Sequence, residues 1–296
     1  MDNKPLRIVH LSDLHFSKVT LNPLQFFSKR WVGNFNLIFK RRKIFTTNHL
    51  PALLETLKER SIDVAMISGD LTTTSQPPEY ALAKQFIHQL NAIGIETYTI
   101  PGNHDHYTRK ACRDRLFYQF FPDSALPRSS NAFNYTLKEE RIAIRPLNEH
   151  WWWLGLDTTI ARPFGSAEGL FSTELEQALE EALASLPKEA QVVLVNHYPL
   201  LPTKKRQYGL DGRERLEALL QRHPQIKLYL HGHNHHQQIL DLRGEGLPIT
   251  CDSGSCVEKR KESCHLIELQ EAQCRIEVLQ WHDRWITSAA HDFTWK

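Results

Sequence analysis

Apolar residues in this chain fall into two spacings. Short, nearly continuous runs at 6–11, 63–68, 96–100, 191–195 and 226–230 have the length and aliphatic content of strands buried on both faces. Between them, apolar positions recur at steps of three and four, as helices require. One helix opens at Asn48 with an early Pro51 and runs to Arg60, and a second covers 79–93 and stops at Gly94. A third covers 172–186 with Ser172 as cap and Glu174 in its first turn, and a fourth lies around 216–222. Further strands are expected at 142–144 and 151–156, and short alternating strands over 237–280. Strand, helix, strand, helix, strand over the first hundred residues is a βαβ series. Its three strands should therefore lie parallel and close together, with their carboxyl ends on one edge of a sheet. No repeat, low-complexity tract or linker divides the chain, so residues 1–296 are read as one α/β domain.

Composition narrows this only a little. With 36 basic and 34 acidic residues the charge is nearly balanced, and no nucleic-acid partner is expected. Five cysteines without a C-x-x-C pair point to a reducing compartment. Neither a signal peptide nor a run of the ~18 apolar residues needed to span a bilayer is visible, which suggests a cytoplasmic protein. The tryptophans 151–153 read as core and strand surface, since no basic groove surrounds them. Arg109, Lys110, Arg113 and Arg115 either meet an anionic substrate or form a solvated helix face.

The 16 histidines carry more, because so many of them follow strands. The first strand runs into Asp13 and His15, which in extended backbone would face the same way and could grip one ion. The second ends in Gly69-Asp70, and the third in Pro101-Gly102-Asn103-His104-Asp105. The strand at 191–195 ends in Asn196-His197, and the one at 226–230 in a stretch holding His231, His233, His235 and His236. Taken singly, each is as readily a cap or a core residue. Together, carboxylate, amide oxygen and imidazole suit Mn, Fe or Zn better than Ca or Mg. They outnumber the needs of one tetrahedral zinc, but two ions about 3.5–4 Å apart sharing a carboxylate would use them all.

In this order, D-x-H, G-D, G-N-H-D, a lone His and G-H-x-H, the blocks resemble the calcineurin-like metallophosphoesterase family, spanning residues 13 to 235 with every signature position filled. The resemblance implies a four-layer αββα sandwich of two mixed sheets flanked by helices, with the C-terminal strands supplying the second sheet. It implies two divalent ions, Mn first among them: Asp13, His15 and His235 would hold one, Asn103, His197 and His233 the other, with Asp70 bridging. A hydroxide between the ions would attack phosphorus. His104 would stand near the leaving-group oxygen, and Asp105 would orient it. His106, His231 and His236 have no signature role.

Residues 16–48 depart from the compact pattern, because the gap before Gly69 is long. Six cations (Lys29, Arg30, Lys40, Arg41, Arg42, Lys43) lie in fifteen residues without an acid, beside an apolar stripe of Leu24, Phe27, Trp31, Phe35 and Ile38. The segment is either an interfacial helix at an anionic membrane, making the protein peripheral, or a lid packed on the domain. Arg30, Trp31, Phe35, Arg41 and Arg42, with Lys204, Lys205 and Arg206 in a later basic loop, are the candidate substrate or membrane contacts. Within the family this insertion most resembles the chlamydial type of UDP-2,3-diacylglucosamine pyrophosphatase, which would release UMP from a nucleotide-sugar lipid in lipid A synthesis. A soluble cyclic-nucleotide or general phosphodiesterase is the alternative, and a non-catalytic protein-binding scaffold is a third. The residues from 281 to 296, with Trp281, Trp285 and Trp295, are expected to be a tail whose oligomeric or covering role is open.

Overall fold

The computed structural model describes residues 4–18, 44–122, 135–163, 165–203 and 206–295, Arg206 only through its backbone. Arg30, Trp31, Phe35, Arg41, Arg42, Lys204 and Lys205 lie outside these residues, as does the apolar stripe of the insertion. In chain order the elements are β1 (Leu6–Leu11), α1 (Leu50–Glu59), β2 (Val64–Ile67), α2 (Pro77–Ala92) and β3 (Glu96–Thr99). Then come α3 (Arg109–Arg113), α4 (Leu116–Phe120), β4 (Ile142–Pro146), β5 (Trp151–Leu156), β6 (Gly169–Leu170), α5 (Thr173–Ala184) and β7 (Gln191–Val195). The last third holds β8 (Leu210–Asp211), α6 (Arg213–Arg222), β9 (Ile226–His231), β10 (Gln238–Asp241), β11 (Ile249–Asp252), β12 (Ser263–Leu269), β13 (Gln273–Trp281) and β14 (Trp285–Thr294).

Helix α2 illustrates why the elements start where they do. Pro77 and Pro78 occupy its first turn, where no N–H partner is needed, and Glu79 reaches back to accept from the Gln76 N–H at 3.1 Å. The helix gives way at Ile93, and Gly94 follows at φ +90°.

Two six-stranded mixed sheets face each other. In the first, order β14-β13-β12-β1-β2-β3, the strands β1, β2 and β3 run parallel. In the second, order β10-β11-β9-β7-β5-β4, the inner strands are parallel and β4 and β10 are antiparallel edges. The tryptophans of β5 show how one strand serves two layers. Trp151 and Trp153 lie in the core between the sheets, where Trp153 stacks on Tyr98 of β3 with centroids 5.0 Å apart. Trp152 points the other way, into a second core shared with Leu175 and Leu179 of α5 and Leu216 and Leu219 of α6. Helices α1 and α2 bury Leu53, Leu57, Tyr80 and Phe86 in the core that the first sheet shares. The result is four layers, αββα.

Two expectations are corrected. The last three strands extend the first sheet, with β12 antiparallel to β1, and the second sheet is built from strands between residues 142 and 252. Antiparallel hairpins need only short connections, so β12, β13 and β14 could add to the free edge of β1 without a crossover. Nor do the described residues 281–295 form a tail: β14 pairs with β13 through a turn at Asp283, and the buried Trp285 donates its indole N–H to the His49 carbonyl at 3.2 Å. No helix among the described residues is long and apolar enough to cross a membrane.

Candidate metal centre

The parallel strands of both sheets deliver their carboxyl ends to one place, the usual ligand edge of an open α/β sheet. Beyond β1 and β2 the chains stay knitted together, with the N–H groups of Asp13 and His15 donating to Gly69 and Asp70 carbonyls at 3.1 and 2.9 Å. Beyond β7 and β9 the Gly232 N–H donates to the His197 carbonyl at 3.1 Å. Asp13 and His15 do not share a face through extended backbone, as their spacing suggests. Both sit in the left-handed region, at φ 52° and 41°, and so do Asp70, His233 and His235. Such backbone costs about 1–3 kcal/mol per residue and persists where the surroundings impose it, which is typical of functional sites. Close approach accounts for two glycines. A Cβ on Gly232 would lie 2.4 Å from Asp13 Oδ2, and one on Gly102 would lie 2.2 Å from Asp70 Oδ1.

All seven sequence candidates for metal ligands meet here, in two groups. In the first, His235 Nε2 lies 3.2 Å from Asp13 Oδ1 and 3.0 Å from His15 Nε2. In the second, the Asn103 carbonyl oxygen lies 3.1 Å from His197 Nε2 and 2.9 Å from His233 Nδ1. Asp70 stands between them, with Oδ2 3.7 Å from His15 Nε2 and Oδ1 3.5 Å from His197 Nε2. Three-residue sets able to hold an ion are Asp13, His15 and His235, and Asp13, Asp70 and His197.

The donor chemistry fits cations. His197 Nδ1 is 2.8 Å from the Ser68 carbonyl and must donate to it, which leaves Nε2 a lone pair aimed at another acceptor, the Asn103 oxygen. His233 Nδ1 is turned toward the same oxygen, at 2.9 Å. The lone pairs of His197 Nε2 and the Asn103 oxygen thus converge, with His233 Nδ1 beside them, where a positive charge would satisfy them. Burial keeps both rings neutral, and that of His233 is pushed down to about 3 by burial and by His197. Asp13 Oδ1 is buried with only the His235 and His15 imidazoles beside it, while Oδ2 accepts from Ser12 Oγ and the His233 N–H. Burial resists ionisation of Asp13, yet His235, His197 and His15 hold it well below the usual carboxylate range. Burial raises Asp70, and the Asp13 and Asp105 charges raise it further. Burial alone would lower His235, but Asp13 and Glu258 outweigh it and carry it up to about 10. An ionised Asp13 and two neutral imidazoles offer charge and lone pairs to a cation, while the raised Asp70 and His235 mark a place that takes up positive charge, which divalent ions would bring.

His104 lines the cavity next to this centre. Its Nδ1 meets the Thr73 carbonyl at 2.7 Å, its ring stacks on Tyr107 at 5.4 Å, and its N–H donates to Asp70 Oδ1 at 2.7 Å. Asp105 was expected to orient this ring and serves elsewhere. Its fully buried carboxylate accepts from the N–H groups of Leu71, Thr72 and Gly102 and from Thr72 Oγ1, tying the loops after β2 and β3 together. Burial lifts its pKa to about 6. The cavity measures about 740 Å³ and is lined by Asp70, Asn103, His104, Tyr208, His233 and His235 among others. Tyr208 and Glu258 carried no sequence signal. Tyr208 enters as part of the cavity wall, and Glu258 from a loop two strands away. His106 turns to Thr159 and His231 lies near Asp252, both buried, whereas His236 lines the cavity. Lys110, Arg113 and Arg115 are surface residues paired with Asp114 and Glu139.

Known proteins place the same arrangement in context. The family model for calcineurin-like phosphoesterase matches residues 6–237. A 3',5'-cyclic-nucleotide phosphodiesterase of Nostoc sp. is 25% identical over 254 residues, covering 83% of this chain and 79% of that protein. The glycerophosphodiester phosphodiesterase GpdQ of Enterobacter lignolyticus is 27% identical, covering 80% and 73%. The 3',5'-cyclic adenosine monophosphate phosphodiesterase CpdA of Escherichia coli is 26% identical, covering 81% and 78%. Among solved structures, a dimetal phosphatase from Danio rerio shares the fold with a TM-score of 0.65 at 14% identity, covering 98% of this chain and 99% of that one. With its sheets, its ligand edge and a match across most of its length, the chain belongs to the calcineurin-like phosphoesterase family of metal-dependent phosphoester hydrolases.

Proposed function

We propose that this protein is a dinuclear-metal phosphodiesterase acting on small phosphodiesters such as a 3',5'-cyclic nucleotide or a glycerophosphodiester. In this reading Asp13, His15 and His235 hold one ion, Asn103, His197 and His233 hold the other, and Asp70 lies between both. Two divalent ions, manganese first among the candidates, would supply Lewis acidity at the phosphoryl oxygens and a water of lowered pKa. The chain's own part begins with Asp70, whose backbone-anchored carboxylate keeps the two ligand groups in register. His104, with Nδ1 committed to the Thr73 carbonyl, turns its other edge to the leaving-group oxygen and supplies or stabilises the proton there. The flanking cavity receives the alcohol portion, with Tyr208 as an apolar wall. One observation carries the reading: two groups of converging lone pairs, split by Asp70, open onto a cavity that His104 lines.

The UDP-2,3-diacylglucosamine reading, and with it a peripheral place on an anionic membrane, rests on the cations and apolar stripe of residues 16–48. The relatives described above are named for cyclic nucleotides and glycerophosphodiesters and favour the smaller substrates. One preparation assayed with Mn²⁺ against cyclic AMP, a glycerophosphodiester and UDP-2,3-diacylglucosamine separates the readings. Hydrolysis of either of the first two, lost on chelation, is the expected result. Preferential release of UMP from the third would replace this proposal with the lipid one, and turnover that survives exhaustive chelation would end both.

A further inference from the structure

Beyond the seven ligands, one carboxylate reaches the centre from a loop that the ligand motifs do not include. Glu258 Oε2 lies 2.9 Å from His235 Nδ1. Its other oxygen lies 3.1 Å from Lys261 Nζ, but the two partners differ in setting, with side-chain exposures of 15% for Glu258 and 67% for Lys261. A carboxylate of this kind is usually a solvated surface charge. Here its loop is fastened on every side. Ser255 Oγ donates to the Asp13 carbonyl at 2.7 Å, His49 Nε2 bonds the Cys256 carbonyl at 2.6 Å, and the Thr46 and Lys259 N–H groups pair this loop with residues 44–46 at 2.8 and 2.7 Å. That pairing lays the Phe45 ring against the first ligand group, with centroids 5.1 Å from His15 and 5.7 Å from His235.

We propose that Glu258 is a positioning residue for the first ion, holding the His235 ring with Nε2 turned to Asp13 and His15, while Phe45 closes that flank against water. The inference rests on the metal-centre reading above. By accepting the Nδ1 proton, Glu258 leaves Nε2 as the lone pair and makes it a stronger donor. Outer partners of metal-bound histidines act in this way, and losing one typically costs about 10–100-fold in metal affinity.

Calorimetric titration of Mn²⁺ into the full-length, chelator-stripped protein tests this without recourse to turnover. Wild type should bind two ions. Glu258→Ala should weaken one class of site by about 10–100-fold and spare the second. Glu258→Gln, whose amide oxygen can still accept from Nδ1, should fall between, and Lys261→Ala should match wild type. Two wild-type affinities in Glu258→Ala would overturn the inference alone. So would equal weakening of both sites with a lower unfolding temperature of the stripped protein, which marks damage to the fold. A wild-type protein that binds no pair of ions would overturn the metal-centre reading and this inference with it.

Discussion

The two ligand groups look alike and are braced differently. In the first, His235 is backed by a carboxylate, Glu258, and roofed by Phe45. In the second, His197 is backed by a neutral carbonyl, that of Ser68, and no ring roofs the group as Phe45 does the first among the described residues, though both groups face the cavity, through His235 and through Asn103 and His233. An anionic partner strengthens a ligating imidazole more than a carbonyl does, and an apolar roof limits exchange with water. The contrast suggests one retained ion and one exchangeable ion in a single centre. Asp70 and His104 complicate the division. Asp70 faces both groups, and His104 bonds Asp70 through its backbone while its ring lies edge-on to His15 at 5.0 Å.

Removing Asp70 should therefore have the largest effect. In Asp70→Ala neither group keeps its shared oxygen, and turnover of bis-p-nitrophenyl phosphate should fall on the order of 10³-fold or more, the equivalent of several kcal/mol. Metal analysis should show occupancy lost at both sites. Loss of one ion only would mean that Asp70 belongs to a single group. His104→Ala comes next. If its ring serves the leaving group and holds no ion, turnover should drop about 10²-fold or more with both ions still bound. An ion released by this substitution would make His104 part of the first group.

A graded chelator titration addresses the contrast directly. The carbonyl-braced site should empty at a chelator strength about 10–100-fold lower than the carboxylate-braced site, read as two steps of metal release. A single step would show that Glu258 and Phe45 make no difference between the sites.

How far the centre was legible from sequence depends on what carries each part. Asp13, Asp70, Asn103, His197 and His233 could be found because each follows a strand whose apolar run is visible, and parallel strands bring their ends together without further information. The braces could not be found this way. Glu258 lies beyond β10 and β11, and it meets His235 only because its loop folds back to pair with residues 44–46. Thr73 and Ser68 contribute carbonyls, which every residue owns and no side-chain pattern reveals. The left-handed backbone at five of the seven ligands was equally hidden, since Asp and His do not demand it as glycine would. The misplacement of β12–β14 has a similar origin. Alternation identifies a strand and one buried face, but an open edge on either sheet satisfies the same pattern.

The smallest effect concerns the open side. Tyr208, 39% exposed, lines the cavity. Tyr208→Ala removes this wall and none of the seven candidate ligands. If the ring serves only as a wall for the substrate's alcohol or base, KM for a cyclic nucleotide should rise about 2–10-fold, the worth of one aromatic contact, with kcat nearly unchanged. The same variant should change KM less for a glycerophosphodiester, which offers no flat ring. A fall in kcat, or loss of an ion, would mean that the side chain also supports the loop that places His233. The second group would then depend on its aromatic neighbour as the first is inferred to depend on Phe45.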